Sequence, residues 1–132
     1  MPKLVHMSGK RKRAVARATL KPGVGKVRIN NKMIDVYGTK LARLRIKEPL
    51  ILAGEIAAGV DIIVRVNGGG SNSQAEAARL AIARALAKYS KKLEKVFLNY
   101  DRHMLVADVR RKEPAKPNRH GKARAKRQKS YR

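Results

Sequence analysis

A run of three glycines, Gly68-Gly69-Gly70, separates a β-branched segment from a long segment of helical character. Unpaired backbone N–H groups at the start of a helix bind phosphate, so this loop is a candidate phosphate cradle. It lacks the Lys-Ser/Thr pair of a Walker loop, and its glycines do not have the spacing of the dinucleotide fingerprint. The loop therefore indicates either an RNA phosphate contact or a tight turn without ligand, and it disfavours an ATP site.

Residues able to perform acid–base or nucleophilic chemistry form no recognisable group. His6, His103 and His120 are far apart in sequence and share no metal-ligand spacing. No pair stands out among the nine acidic residues, and neither Ser71 nor Ser73 has a general-base signature beside it. Cysteine is absent from the sequence, which excludes disulfides, thiolate metal sites and cysteine nucleophiles. We therefore expect no enzymatic activity, no metal site and no cofactor.

Positive charge is the dominant chemical feature of the sequence. Of 132 residues, 33 are Lys or Arg and 9 are Asp or Glu, which gives a net charge of +24. Hydrophobic residues make up 43% of the chain, enough for a core, so a wholly disordered polycation is disfavoured. Self-repulsion on this scale calls for a polyanion, which makes nucleic acid the leading partner and an anionic membrane a distant second.

The C-terminal segment 110–132 concentrates this charge, with eleven basic residues and one acid, Glu113. Prolines aside, it has no apolar residue larger than alanine before Tyr131, so it cannot bury a core and is predicted to be extended. Residues 1–13 carry five more basic residues and no acid. We predict a globular domain over residues 1–109, including this basic segment, and a basic tail over 110–132.

Apolar patterning predicts the elements that position these groups. Alternating segments at 13–20 and 26–30, joined by a loop with Pro22 and two glycines, predict a β-hairpin followed by a stub strand at 33–34. Thr39 is predicted to cap a helix with apolar positions at Leu41, Leu44 and Ile46, which Pro49 breaks or restarts. The β-branched segment 61–66 is typical of a central strand.

The longest helix is predicted to begin at Ser73, which forms a capping box with Glu76. Mostly small apolar residues then recur at helical spacing and predict a face that lies close on a sheet: Ala75, Ala78, Ile82, Ala85 and Tyr89. A short helix at 91–98 and a closing strand at 103–109 follow. This order predicts an α+β fold, a two-layer sandwich in which a mixed sheet of four to five strands carries helices on one face.

Aromatic residues are rare, and none falls inside a predicted strand. RNA-binding modules that stack bases on a sheet need aromatic side chains on neighbouring strands. Binding is therefore predicted to depend on shape and on phosphate contacts, with lysine and arginine as the operative groups.

Residues 68–86 resemble a known signature. The glycine triplet, the following Ser71-Asn72-Ser73-Gln74, the small residues at 77, 81 and 83, and Arg84 closely resemble the pattern of the small-subunit ribosomal protein nine family. Glu48-Pro49-Leu50 and the ending Gln128-Lys129-Ser130-Tyr131-Arg132 add matches, so the resemblance covers about residues 9–132. The ending and the short length resemble archaeal members. Tyr131 stands where bacterial members have lysine, so a role of that lysine does not transfer.

The resemblance implies a structural, non-catalytic component of the small ribosomal subunit that binds 16S-type ribosomal RNA in the subunit head. It also implies neighbouring proteins of the head as partners and a tail that passes through RNA toward the peptidyl site. There the last residues approach the phosphates of the transfer RNA anticodon loop, and Lys129 and Arg132 are expected to make that contact. No apolar run approaches the roughly 20 residues of a membrane helix, and no signal-peptide stretch follows Met1, so a cytoplasmic protein is expected.

Charge, the glycine loop and the resemblance together select the candidate binding residues. Contacts to transfer RNA in the peptidyl site (P-site tRNA) are predicted at Lys129, Ser130, Tyr131 and Arg132. Contacts to ribosomal RNA are predicted at Lys10, Arg11, Lys12, Arg13, Gly69, Gly70, Arg110, Arg111, Lys112, Lys116, Arg119, His120, Lys122, Arg124, Lys126 and Arg127.

Two other classes of protein remain as alternatives. An architectural nucleic-acid-binding protein outside the ribosome is compatible with the charge. It is disfavoured because the basic residues form a terminal thread rather than a groove-reading helix or β-ribbon arm. An enzyme on the same fold is disfavoured by the absence of a nucleotide loop and of a catalytic cluster in the sequence.

Overall fold

A mixed five-stranded sheet with helices on one face builds the domain, in a computed structural model that describes residues 4–118 and 123–124. The spatial order is β1-β2-β5-β3-β4, in which β3 and β5 are parallel and the other neighbours antiparallel. The predicted α+β class and mixed sheet are confirmed. The strands are β1 Val5–Arg11, β2 Ala14–Pro22, β3 Val27–Ile29, β4 Lys32–Met33 and β5 Val60–Asn67.

The first strand, β1, lies within the basic segment 1–13, which was predicted to belong to the domain but was assigned no strand. It forms a hairpin with β2, with Val5 opposite Leu20 and Arg11 opposite Ala14. The strand alternates, but its inward positions include Gly9, where the chain leaves no room for a side chain because a Cβ would lie 2.6 Å from the Ala81 nitrogen of the covering helix. A glycine in place of an apolar residue weakened the period-two signal.

The predicted hairpin between segments 13–20 and 26–30 is wrong, although both segments are strands. β5 lies between them, pairing antiparallel with β2 and parallel with β3. Its buried residues alternate from Val60 to Val66, so it has the apolar face that a central position requires. A Pro-Gly loop indicates that the chain changes direction. It does not show whether the next strand pairs with the preceding one or whether a third strand lies between the two. The stub strand predicted at 33–34 exists but lies one residue earlier, as β4, and Ile34 begins a 3₁₀ turn.

Helix α1, Lys40–Ala53, begins at the predicted cap, where the Thr39 hydroxyl accepts a hydrogen bond from the Ala42 N–H at 3.3 Å. The expected break at Pro49 is wrong, since the helix runs through it to Ala53. Pro49 is buried with Ile46 on the same side, and this packing offsets the lost backbone hydrogen bond. Leu41 and Leu44 are more than half exposed, so they lie outside the core. A short helix α2, Glu55–Ala58, follows.

Helix α3, Ser71–Tyr89, lies across β1, β2 and β5 and carries the predicted apolar stripe. Ala75, Ala78, Ile82 and Ala85 are fully buried, which confirms that face. The predicted capping box is wrong, because the helix begins at Ser71 and no side chain caps it. Glu76 instead forms ion pairs with arginines of β1 and α1.

Helix α4, Lys92–Tyr100, confirms the predicted short amphipathic helix and buries Leu93 and Phe97. The closing strand predicted at 103–109 is wrong. Asp101 accepts from the His103 N–H at 3.0 Å and starts a 3₁₀ turn over Arg102–Met104, after which the described chain is irregular. Met104 is fully buried in this turn, which accounts for the apolar signal without any sheet partner.

Candidate nucleic-acid interface

The basic tail leaves the domain at an acidic residue, Asp108. Its carboxylate accepts a hydrogen bond from the Arg11 guanidinium at the end of β1. It also accepts from the Arg110 backbone N–H at 2.9 Å and from the Arg110 guanidinium at 2.7 Å. The Arg110 bonds, followed by that from Arg11, hold the pKa of Asp108 well below its usual range. The start of the tail is thus tied to the sheet.

Arg11 connects this tie to the helical layer. Its Nε lies 2.8 Å from a carboxylate oxygen of Glu76 on α3, and the other Glu76 oxygen lies 3.0 Å from Nη1 of Arg45 on α1. The Arg11 and Asp108 side chains are only 19% and 15% exposed, so solvent screens this pair less than an open surface pair. The position of Arg11 is therefore fixed by β1, α1, α3 and the tail together.

The glycine loop packs against the turn between β1 and β2. Gly68 and Gly69 have φ angles of +78° and +67°, which favour glycine, and a Cβ on Gly68 would lie 2.7 Å from the Arg13 carbonyl oxygen. The Gln74 side chain donates to the Gly68 carbonyl at 3.1 Å. Close packing accounts for these two glycines without a ligand. A Cβ on Gly70 would meet nothing within 4 Å, so no such constraint acts there.

Beside this loop lies a cleft of about 660 Å³ that we call the root cleft. Its walls are the β1–β2 turn, the first turn of α3 and the start of the tail. Among the described residues that line it, five are cationic and one, Glu113, is acidic. The lining residues are Lys12, Arg13, Gly69, Gly70, Ser73, Arg110, Arg111, Lys112, Glu113, Pro114 and Ala115.

The one carboxylate in the root cleft is already engaged. Glu113 lies 3.0 Å from the Lys116 ammonium and 3.1 Å from the Arg124 guanidinium. The Lys116 hydrogen bond, followed by that from Arg124, keeps the pKa of Glu113 below its usual value. Asp108 already binds Arg110, but among the described residues Lys12, Arg13, Arg111 and Lys112 form no ion pair. These four cationic groups are therefore left to an external anion, and the positive end of the α3 dipole adds to their field.

Most of the predicted ribosomal RNA contacts within the described chain meet at this place. Lys12, Arg13, Gly69, Gly70 and residues 110–112 line the root cleft, while Lys10 and Arg11 line an adjoining cleft of about 190 Å³. Lys116 and Arg124 form ion pairs with Glu113. Outside the described residues are Arg119, His120, Lys122, Lys126, Arg127, Lys129, Ser130, Tyr131 and Arg132.

Sequence reasoning missed two parts of the charged surface. Asp108 lay in a segment assigned to a strand, and no local pattern marks it as an anchor for the tail. Arg17, Arg28 and Arg65 were missed as a group, although each occupies the outward position of an alternating strand. The alternating pattern of each strand predicts its outward arginine. The arginines were not recognised as neighbours because the predicted hairpin paired β2 with β3 instead of with β5.

Residues 4–118 and 123–124 contain neither a metal-binding cluster nor a membrane-spanning helix. No group of three or more His, Cys, Asp or Glu side chains there could hold a metal ion. No helix in the same residues is long and apolar enough to cross a membrane.

Comparison with known proteins identifies relatives across nearly the whole chain. A family model described as ribosomal protein S9/S16 matches residues 9–132. The small ribosomal subunit protein uS9 of Methanococcus vannielii is 49% identical over 133 residues, which cover 98% of this chain and 99% of that protein. The uS9 proteins of two Methanococcus maripaludis strains, C7 and C5, are each 48% identical over the same shares.

Proposed function

Because this chain belongs to the S9/S16 family of ribosomal proteins, we propose that it binds 16S-type ribosomal RNA in the head of the small subunit and extends its tail toward P-site tRNA. On this proposal the protein is located in cytoplasmic ribosomes. Neighbouring proteins of the subunit head are its further partners. Its role is structural and not catalytic.

The observation that carries the RNA contact is the root cleft. Five cationic side chains from two distant parts of the sequence converge there, and Asp108 binds one of them, Arg110. The only carboxylate among the described lining residues is held by Lys116 and Arg124. Charge of one sign that the protein does not neutralise itself is the electrostatic footprint of a nucleic-acid backbone. The first turn of α3, with no side-chain cap, presents its backbone N–H groups on the same side.

The tie at Asp108 supports the tail's role. A basic chain of 23 residues from 110 to 132 is long enough to reach roughly 75 Å if fully extended. Asp108 pairs with Arg11 of β1 and with Arg110 at the start of the tail. The tail therefore leaves the domain in a defined direction. A thread of this kind carries charge into RNA where a globular surface cannot enter, and its contacts to phosphate are charge-assisted.

Selective retention on ribosomal RNA tests this function. Labelled protein is mixed at moderate salt with small-subunit ribosomal RNA, large-subunit ribosomal RNA or duplex DNA of Methanococcus maripaludis, and bound protein is counted on filters. We expect at least about tenfold tighter binding to the small-subunit RNA, a difference of roughly 1.4 kcal/mol. Equal affinity for all three polyanions would contradict the proposal and favour an architectural protein outside the ribosome.

A further inference from the structure

The face of the sheet away from the helices, here the open face, carries arginines that face one another. Arg17 on β2 lies directly opposite Arg65 on β5. Arg28 on β3 pairs with Ile63, two residues before Arg65 on the same face of β5. All three arginines are exposed. Since neighbouring strands lie about 4.8 Å apart, the three guanidinium groups extend from one small area.

Such a pairing works against the stability of the free sheet. Like charges directly opposite on antiparallel strands repel one another, whereas most proteins place opposite charges or apolar pairs there. None of the three arginine side chains forms a hydrogen bond or ion pair with any described residue. Departures of this kind from local consistency mark functional positions, where a ligand compensates the cost.

The open face also carries a carboxylate, Asp61, which forms no ion pair with Arg17, Arg28 or Arg65. Asp61 accepts hydrogen bonds from the backbone N–H groups of Lys26 and Val24, each at 3.0 Å, and these bonds lower its pKa. It thereby stabilises the loop between β2 and β3. Asp61 lines a cleft of about 220 Å³ together with Lys21, Lys26 and Arg28. Three cations against one carboxylate leave this end of the sheet with a net positive charge.

We propose that the open face is a second RNA-binding surface, on which Arg17, Arg65 and Arg28 bind neighbouring phosphates of one RNA strand. This inference rests on the proposed function, since it takes the polyanion to be ribosomal RNA. Arginine suits the task because its planar fork bonds two phosphate oxygens at once. The exposed Ile63, which lies on β5 opposite Arg28 and two residues before Arg65, offers an apolar contact to a ribose. The protein is then held by RNA on two sides, at the root cleft and at the sheet.

Removing two charges tests the energetic part of the proposal. In Arg17→Gln/Arg65→Gln, two phosphate contacts are lost, so the salt slope of binding to small-subunit ribosomal RNA falls by about 1.4 to 1.8. The melting temperature of the free protein does not fall, because the repulsion is also removed. The control Lys92→Gln/Lys95→Gln removes equal charge from α4 and leaves the slope within about 0.5 of the wild type. Equal slopes for the two double variants would overturn the proposal.

Directed cleavage locates the RNA independently of affinity. The chain has no cysteine, so a single Ser8→Cys variant carries an iron chelate beside Arg17 on the open face. Ala115→Cys places the chelate at the root cleft, and Glu94→Cys places it on α4. We expect hydroxyl-radical cuts in one RNA tract from position 8, cuts elsewhere from 115, and none from 94. Cuts from 115 without cuts from 8 would overturn the second surface alone. Absence of cuts from both would overturn the proposed function itself.

Discussion

Asp108 accepts a hydrogen bond from Arg11, a residue 97 positions earlier in the chain, and so joins the start of the basic tail to the end of β1. The same carboxylate holds Arg110, the first residue of the tail. One acid therefore sets the point and direction from which a strongly cationic segment leaves the domain. This arrangement lets the basic tail begin at a fixed place.

Replacing Asp108 with asparagine is expected to free the start of the tail without unfolding the domain. The amide cannot form the charge-assisted bonds that bind Arg11 and Arg110. A nitroxide on Ala115→Cys reports this as narrower electron-paramagnetic-resonance lines in the Asp108→Asn background. The control is Asp35→Asn, which removes the exposed pair with Lys47 away from the tail. Identical line shapes in all three proteins would show that Asp108 does not hold the tail.

The same nitroxide label at position 115 measures how the attachment of the tail at Asp108 depends on pH. The folded-state pKa of Asp108 lies below its ordinary value of 3.8, because Arg110 and Arg11 favour the ionised form. A lowered pKa means that the stabilisation is complete above the ordinary value and is lost only as pH falls through the folded pKa. The line shape should therefore stay constant from neutral pH to about pH 4. Loosening of the tail between pH 7 and 5 would contradict this reading.

Gly9→Ala is expected to destabilise the domain by about 1–3 kcal/mol, the usual cost of overpacking. The new Cβ would meet backbone atoms of α3, including the Ala81 nitrogen at 2.6 Å, and backbone cannot move aside cheaply. Urea unfolding of the free protein measures the change. The matched control is Gly59→Ala, whose Cβ would lie 3.8 Å from its nearest neighbour, the Ile56 carbonyl oxygen. A loss no larger than in the control would mean that α3 does not lie this close to β1.

Local signals in the sequence were sufficient for the central strand and the long helix. The β-branched residues of β5 and the spacing of Ala75, Ala78 and Ile82 on α3 each identify an element without reference to the rest of the chain. The strand order could not be predicted, for two reasons. Gly9 weakens the alternating apolar pattern of β1, and the loop after β2 does not indicate that β5 is the strand that pairs with β2. The helix was expected to break at Pro49, but the burial of this residue in the folded domain outweighs its local cost.

The candidate site divides in the same way. Charge counting found the tail, and the glycine loop pointed to the first turn of α3, because both are features of contiguous sequence. The convergence of Lys12 and Arg13 with Arg110–Lys112 depends on the Arg11–Asp108 contact, which no sequence spacing reveals. The facing of Arg17 and Arg65 likewise requires the register of β2 against β5.

Removal of residues 119–132 is expected to flatten the salt dependence of RNA binding. If about six to ten phosphates are engaged by the full chain, its affinity falls by roughly 10³ to 10⁵ between 50 and 200 mM salt. The truncated protein keeps the root cleft and loses the seven basic residues beyond it. Titrations across that salt range measure both slopes. A slope that survives truncation would assign the main electrostatic contact to the domain.

Deletion of Lys129–Arg132 alone tests the proposed end of the thread. Most of the cationic residues remain, so incorporation into small subunits should be nearly intact. Binding of tRNA at the peptidyl site should weaken by about 1–3 kcal/mol, the scale of one or two charged hydrogen bonds. Filter binding of tRNA to programmed subunits measures it, with Lys129→Arg as the charge-conserving control. Unchanged tRNA affinity would show that residues 129–132 do not contact tRNA at the peptidyl site. Failure of the truncated protein to enter small subunits would show that these residues act in assembly instead.

The root cleft is tested most directly by Arg110→Gln/Arg111→Gln/Lys112→Gln, compared with Lys91→Gln/Lys92→Gln/Lys95→Gln. Both variants lose three positive charges, the first from the root cleft and the second from the region of α4. The measurement is the salt dependence of binding to small-subunit ribosomal RNA. We expect the cleft variant to lose about 2 to 3 from the slope, one contact per removed cation, and the helix variant to match the wild type. Equal slopes for the two variants would show that net charge alone binds the RNA, and would contradict the root cleft as the site.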